Sequence, residues 1–303
     1  MLLAHLSDLH LRDENDVVEF GRQLDCIVAR TTDHLVISGD LLDRWQPRLL
    51  DLALDALAAR GLLQPHRLTL IHGNHDLASS GGHPRARADL WRLALRFWDP
   101  PPLIRVRRQR FYRRISRRAA DVGREPPFTK LIGNLRLTVI DTVPAPWLPL
   151  KVGRNRITLQ HARGAIDARQ LEWLATSRRP EPVVVVMHHY PGDAGTFRWR
   201  NSRLPPAAGR QPWAPSWTVE VPMDIADDDR TRFWSAASQA GAVAVICGHV
   251  HRARLEHRGG VAIGLNGQSG AEWAGRTIAF YRIEPPATIT AEHVTLPPAA
   301  AVP

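Results

Sequence analysis

Asp8 and His10 stand two residues apart where a short apolar run, Leu2 to Leu6, gives out. On an extended chain, residues i and i+2 point to the same side. A carboxylate and an imidazole there can face one metal ion, since both are donors for transition metals. Alone, Asp-x-His carries little information. The chain repeats the device four more times. Leu35 to Ile37 leads into Ser38-Gly39-Asp40-Leu41-Leu42-Asp43-Arg44, and Leu68 to Ile71 into His72-Gly73-Asn74-His75-Asp76. Val183 to Met187 ends in His188-His189, and Ala242 to Cys247 in Gly248-His249-Val250-His251. Short apolar runs bounded by turn residues read as buried strands. In open α/β sheets, ligands bind at the carboxyl edge of the strands.

In this order the five blocks resemble those of the calcineurin-like metallophosphoesterases: D-x-H, G-D-x-x-D, G-N-H-[DE], a histidine closing a strand, and G-H-x-H. The resemblance runs from Asp8 to His251, with no ligand position missing. It implies an α/β fold, a four-layer α/β/β/α sandwich of two mixed sheets flanked by helices. It also implies two metal ions, bridged by Asp40. Asp8, His10 and His251 would complete one site, and Asn74, His188 and His249 the other. Mixed carboxylate and imidazole donors suit Mn, Fe, Zn or Ni without choosing among them. Two ions about 3.5–4 Å apart can clamp the attacking and leaving oxygens of a phosphoryl group, and lower the pKa of a bound water toward ~7, which makes a hydroxide available for attack.

By the same resemblance His75 is the general acid that protonates the leaving alkoxide, and Asp76 orients it. Asp43 holds its loop, and Arg44 contacts substrate phosphate. His188 directly ends its strand and is the expected ligand; His189, one position on, should point elsewhere. Gly-Asn-His-Asp and the loose spacing of the blocks look more like the bacterial phosphodiesterase branch than the protein phosphatases. Phosphodiester hydrolysis is therefore the first expectation, phosphomonoester hydrolysis the second, and a nuclease acting on DNA or RNA the third. A scaffold without chemistry fits poorly with a complete ligand set.

These blocks need strands and helices to position them. Residues 16–30 and 47–60 show helical spacing between the first three strand-like runs, a β-α-β start that implies parallel pairing. Phe128 to Asp141 reads as two strands around Gly133-Asn134, Asp167 as a helix cap, and 228–239 as a helix stopped by Gly241. Residues 253–264 form a hairpin pattern, and 277–283 and 288–295 are closing strands. One domain over 1–296 accounts for this, with irregular inserts at about 81–127 and 192–217 and a flexible tail at 297–303.

The formal charge is +10, nearly all of it arginine, because Lys130 and Lys151 are the only lysines. Eight arginines fall between Arg105 and Arg118, with Phe111 and Tyr112 among them. Such a run can bind nucleic acid or anionic lipid, or form a solvated face. No apolar stretch approaches the ~20 residues of a membrane span. The first strand begins at Leu2, which leaves no room for a signal segment, and Cys26 and Cys247 read as unpaired. A cytoplasmic protein is expected.

Overall fold

Val183 to Val186 is apolar at every position because both of its faces are covered. Val183 and Val185 pack with Leu174 and Phe233, whereas Val184 and Val186 pack with Leu3, Val36 and Tyr281. Successive strand residues alternate sides, so one strand contributes to two separate cores. This computed structural model describes residues 1–79, 99–144, 150–153, 156–160, 162–200, 218–267, 276–284 and 288–297.

The elements in chain order are β1 (Leu2–Leu6), α1 (Glu14–Ala29), β2 (His34–Ile37), α2 (Pro47–Ala59), β3 (Leu68–Leu70), α3 (Pro101–Ser116), β4 (Phe128–Ile132) and β5 (Leu135–Val139). There follow β6 (Leu150–Gly153), β7 (Arg156–Leu159), α4 (Ala168–Ala175), β8 (Val183–Val186), β9 (Thr196–Arg200), β10 (Thr218–Pro222) and α5 (Asp227–Ala240). The last are β11 (Ala242–Cys247), β12 (Arg254–Arg258), β13 (Val261–Leu265), β14 (Thr277–Glu284) and β15 (Thr288–Thr295).

One sheet has the order β15-β14-β1-β2-β3 and the other β12-β13-β11-β8-β5-β4. Both are mixed: β1, β2 and β3 pair in parallel, as do β5, β8, β11 and β13, with antiparallel strands at the edges. Phe20, Leu24, Leu50, Leu54 and Leu57 of α1 and α2 cover the outer face of the first sheet. Leu171, Leu174, Phe233 and Ala237 of α4 and α5 cover the second. Leu3, Val36, Leu137, Val184, Ile246 and Tyr281 fill the space between sheets. That is the expected α/β/β/α sandwich. Among the described residues, no helix is long and apolar enough to cross a membrane.

Two expectations about the inserts change. The arginine run is not irregular. It is α3, sixteen residues opened by Pro101. Arginine is a good helix former, and Arg107, Phe111, Tyr112 and Ile115 are buried at one helical phase. The second insert begins as a strand. β9 pairs antiparallel with β10, and both belong to a third sheet, β6-β7-β10-β9. The signal was present: Phe197 and Trp199, and Val219 and Val221, alternate with polar residues at the strand period. The rest of the inserts, 80–98 and 201–217, lies outside the described residues, as do His83, His161, Trp213, Trp217 and the tail from residue 298. Helix α1 starts at Glu14, earlier than its apolar spacing suggests, because Asp13 accepts from the Asp16 backbone N at 3.1 Å.

Candidate dinuclear metal site

The strand-end blocks meet along one edge of the sandwich. Pairing of the first two continues beyond their strands: Asp8 N donates to Gly39 O at 3.1 Å and His10 N to Asp40 O at 3.0 Å. Gly248 N donates to His188 O at 2.9 Å, tying the last two blocks together. Among the described residues, the non-glycine residues with positive φ are Asp8, His10, Asp40, His249, His251 and Thr31. All but Thr31 are expected ligands. Left-handed backbone is costly for side-chain-bearing residues, of order 1–3 kcal/mol each, and concentrates at functional sites. Asp and His tolerate it better than bulkier residues. Gly39 has φ 107°, and a Cβ there would lie 2.6 Å from His188 Nδ1; only glycine meets both demands. Gly73 leaves room in the same way for the Asp40 carboxylate.

The side chains then converge. His188 Nδ1 donates to the Ser38 carbonyl oxygen at 2.9 Å. Its Nε2 lies 3.0 Å from Asn74 Oδ1 and 3.4 Å from Asp40 Oδ2. His10 Nε2 is 3.3 Å from His251 Nε2 and 3.9 Å from Asp40 Oδ2, and His251 Nε2 is 3.4 Å from Asp8 Oδ1. Asp40 therefore stands between an Asp8, His10, His251 group and an Asn74, His188 group. His249 packs edge-on to His188 with ring centres 5.1 Å apart, and its backbone N donates to Asp8 Oδ2 at 2.9 Å.

His189 does not point away. Its ring lies 4.3 Å from that of His249, and donor atoms of His188, His189 and His249 fall within 4.8 Å of one another. Thr142 Oγ1 holds it, 2.9 Å from His189 Nδ1, while also accepting from the His189 backbone N at 3.0 Å. His188 is the one of the pair that reaches Asp40 and Asn74. The turn after β8 folds both rings inward, so strand alternation no longer separates them.

The electrostatics favour cations. Burial works against charge on Asp8 and Asp40, yet the surrounding histidines hold both carboxyls below the usual range. Burial lowers His10 and His249 to about 3, so both rings are neutral with lone pairs to offer. His188 is the exception: although desolvated, it is raised to about 9 by Asp40 and Asp8. Asp8 Oδ1 and His249 Nε2 are fully buried and have no hydrogen-bond partner among the described residues. Buried polar atoms are seldom left so. Two carboxylates, an amide oxygen and imidazoles with such orphaned donors fit a pair of metal ions.

His75 sits on this cluster and, like His251, is partly exposed, with its ring 4.7 Å from that of His10. Its backbone N donates to Asp40 Oδ1 at 2.8 Å and its Nδ1 to the Asp43 carbonyl oxygen at 3.0 Å. The contact to the His75 ring expected of Asp76 is made instead by the backbone carbonyl of Asp43. Asp76 is fully buried and accepts from the backbone N of Leu42 and Gly73 at 2.8 Å and of Leu41 at 3.3 Å. It ties the second block to the third and does not touch the His75 ring nitrogens. Burial and the charge of Asp40 push it up to about 7. Arg44 is exposed beside Asp43 and forms no ion pair among the described residues.

Sequence reasoning missed a group beneath the site. His72 Nδ1 is 2.7 Å from Tyr112 OH and His72 Nε2 is 3.3 Å from Asp141 Oδ1. Arg108 pairs with Asp141 at 2.8 Å. No local pattern announces these contacts, since their partners are distant in sequence.

This fold and donor set define a metal-dependent phosphoester hydrolase. The chain belongs to the calcineurin-like phosphoesterases, whose family model matches residues 1–253. A dimetal phosphatase from Danio rerio has a similar structure, with a TM-score of 0.57 and 12% identity over 98% of each chain. The phosphopantetheinyl hydrolase of Mycobacterium tuberculosis matches with a TM-score of 0.43 and 14% identity, over 88% of this chain and 89% of that one. No curated protein matches the sequence.

Proposed function

We propose that this chain hydrolyses phosphodiesters, with His75 as the general acid. The observation that carries the reading is the fixed tautomer of His75. A carbonyl oxygen can only accept, so Nδ1, 3.0 Å from Asp43 O, bears a hydrogen. Nε2 is then the nitrogen that exchanges a proton with substrate, and as general acid it donates from the imidazolium form. Two bound ions, of Mn, Fe, Zn or Ni, would supply positive charge for the phosphoryl oxygens and an acidified water. Asp8, Asp40, His10, Asn74, His188, His249 and His251 would hold that charge in place. His75 Nε2–H protonates the departing oxygen, a step that an alkoxide needs and a nitrophenolate does not. Arg44, exposed beside the loop and in no ion pair among the described residues, is available to a phosphate oxygen. The choice of diesters over monoesters rests on the Gly-Asn-His-Asp block and the spacing of the blocks. The unpaired thiols of Cys26 and Cys247 suit a reducing, cytoplasmic setting.

The test is turnover of bis-p-nitrophenyl phosphate, p-nitrophenyl phosphate, cyclic AMP and single-stranded DNA by protein loaded with Mn, Zn, Ni or Fe. A higher kcat/KM on diesters than on the monoester is expected, and the reverse order overturns the diester reading. His75→Ala should lower kcat by about 10²–10⁴ on an alkyl leaving group, with metal content unchanged.

A further inference from the structure

The inward face of α3 is turned on the loop that carries His75. Arg107 is buried, and a buried guanidinium must be paired. Its Nη1 donates to Leu77 O at 2.8 Å and its Nη2 to Ser79 Oγ at 2.6 Å, while Asp99 lies 2.9 Å away. Leu77 and Ser79 follow His75 by two and four residues. Five positions along the helix, Tyr112 OH lies 2.7 Å from His72 Nδ1 and accepts from the His72 backbone N at 3.4 Å. His72 precedes His75 by three. One helix therefore grips the loop on both sides of His75. Arg108 fastens the helix to the second sheet, pairing with Asp141 at 2.8 Å and donating to Val143 O at 2.8 Å. The planar fork of arginine suits such separated acceptors, whereas the three donors of a lysine radiate from one nitrogen and lack that fixed span.

We propose that α3 is a brace for His75, and that Arg107 and Tyr112 are positioning residues that set its place over the metal cluster without touching substrate. The proposal rests on the reading of His75 as general acid. A displacement of about 1 Å in a reacting group can cost as much as 10²-fold in rate, and hydrogen bonds on either side of His75 are where such a displacement is prevented.

The test uses the metal-loaded chain and a series of aryl methyl phosphates running from p-nitrophenyl to phenyl to p-methoxyphenyl leaving groups. His75→Ala sets the reference and should steepen the dependence of kcat on leaving-group pKa. Arg107→Met should steepen it in the same sense, losing roughly tenfold or more on the phenyl ester and under about threefold on the nitrophenyl ester. Arg107→Lys should lie between Arg107→Met and the unmodified protein. Tyr112→Phe keeps the ring in the core and serves if Arg107→Met does not fold. Metal content should be unchanged, and amide exchange over residues 72–79 of the metal-free protein should quicken. Arg105→Gln, on the exposed face, should change nothing. Equal losses on every ester, or no loss, overturn the brace when His75→Ala is steep. A flat His75→Ala profile overturns the general-acid reading itself and the brace with it.

Discussion

The strand-end blocks and helix α3 both gather charge, and they use it in opposite ways. At the strand ends, Asp8 and Asp40 are gathered with neutral rings of His10 and His249, and ligand atoms remain without a hydrogen-bond partner among the described residues, as a cation site requires. Along α3 half of the eight guanidinium groups are answered within the protein. Arg107 meets Asp99, Arg108 meets Asp141, and Arg114 and Arg118 meet Asp51 and Asp55 of α2. The two aromatic rings that the sequence offers for stacking on bases, Phe111 and Tyr112, are 0% and 3% exposed. Charge that lacks an internal partner marks a binding site, and charge that has one marks a joint. Arg105, Arg110, Arg113 and Arg117 remain on the exposed face of this joint, and binding of nucleic acid or anionic lipid there is a separate proposal.

The contrast is broken most severely at Asp40, which stands between both ligand groups. Asp40→Asn should lower metal content from about two ions per chain to less than one and abolish measurable turnover, because a shared charged bridge is what lets two cations sit ~3.5–4 Å apart. Elemental analysis beside turnover decides it; two retained ions would place the bridge elsewhere.

The unsatisfied character of the site also predicts a proton inventory. His188 is raised to about 9 and so carries a proton at pH 7, whereas a metal ligand must be neutral. Binding should expel that proton, and affinity should rise about tenfold per pH unit up to roughly pH 9 and then level. Calorimetry in buffers of different ionisation enthalpy measures the released proton, and pH-independent affinity between 6 and 8 would contradict it.

The joint makes a smaller, opposite prediction. Asp141 is buried, yet His72 and Arg108 hold it at about 2, against an ordinary 3.8. A value depressed in the folded state means that the ionised form stabilises the fold above about pH 4, and that this contribution is lost as pH falls toward 2. A shift of this size corresponds to roughly 2 kcal/mol. Urea unfolding of the metal-free protein should show Asp141→Asn less stable by about that much at pH 6, with the gap narrowing steadily below pH 4. A gap that does not narrow would assign the loss to packing instead.

The smallest effect is expected on the outside of α3. Arg114 and Arg118 pair with Asp51 and Asp55 close to solvent, where ion pairs contribute about 0–1 kcal/mol. Arg114→Gln with Arg118→Gln should shift the unfolding midpoint by no more than that, less in high salt, and leave diester turnover unchanged.

The position of the strand-end blocks was legible in the sequence for a local reason, whereas their division between two metal ions was what the resemblance implied. Each block lies where a strand of known direction must end, so Asp8 and His10, or His249 and His251, are committed to one edge by backbone geometry alone, and the parallel β1-β2-β3 start brings the first three blocks to that edge. The alternation in β9 and β10 was legible too, although the surrounding prolines and arginines obscured it. Three matters were decided only by the tertiary structure. His75 is oriented by the Asp43 carbonyl and not by its neighbour Asp76, because the turn aims the Asp76 carboxylate at the amides of Leu41, Leu42 and Gly73. His189 lies against His249 because the chain leaves strand geometry after Val186. The arginines of α3 divide into a joint and an exposed face by helical phase and by carboxylates up to 63 residues away. Spacing along a chain determines which groups share an edge or a face; what each charged group meets there depends on partners that only the folded chain brings within reach.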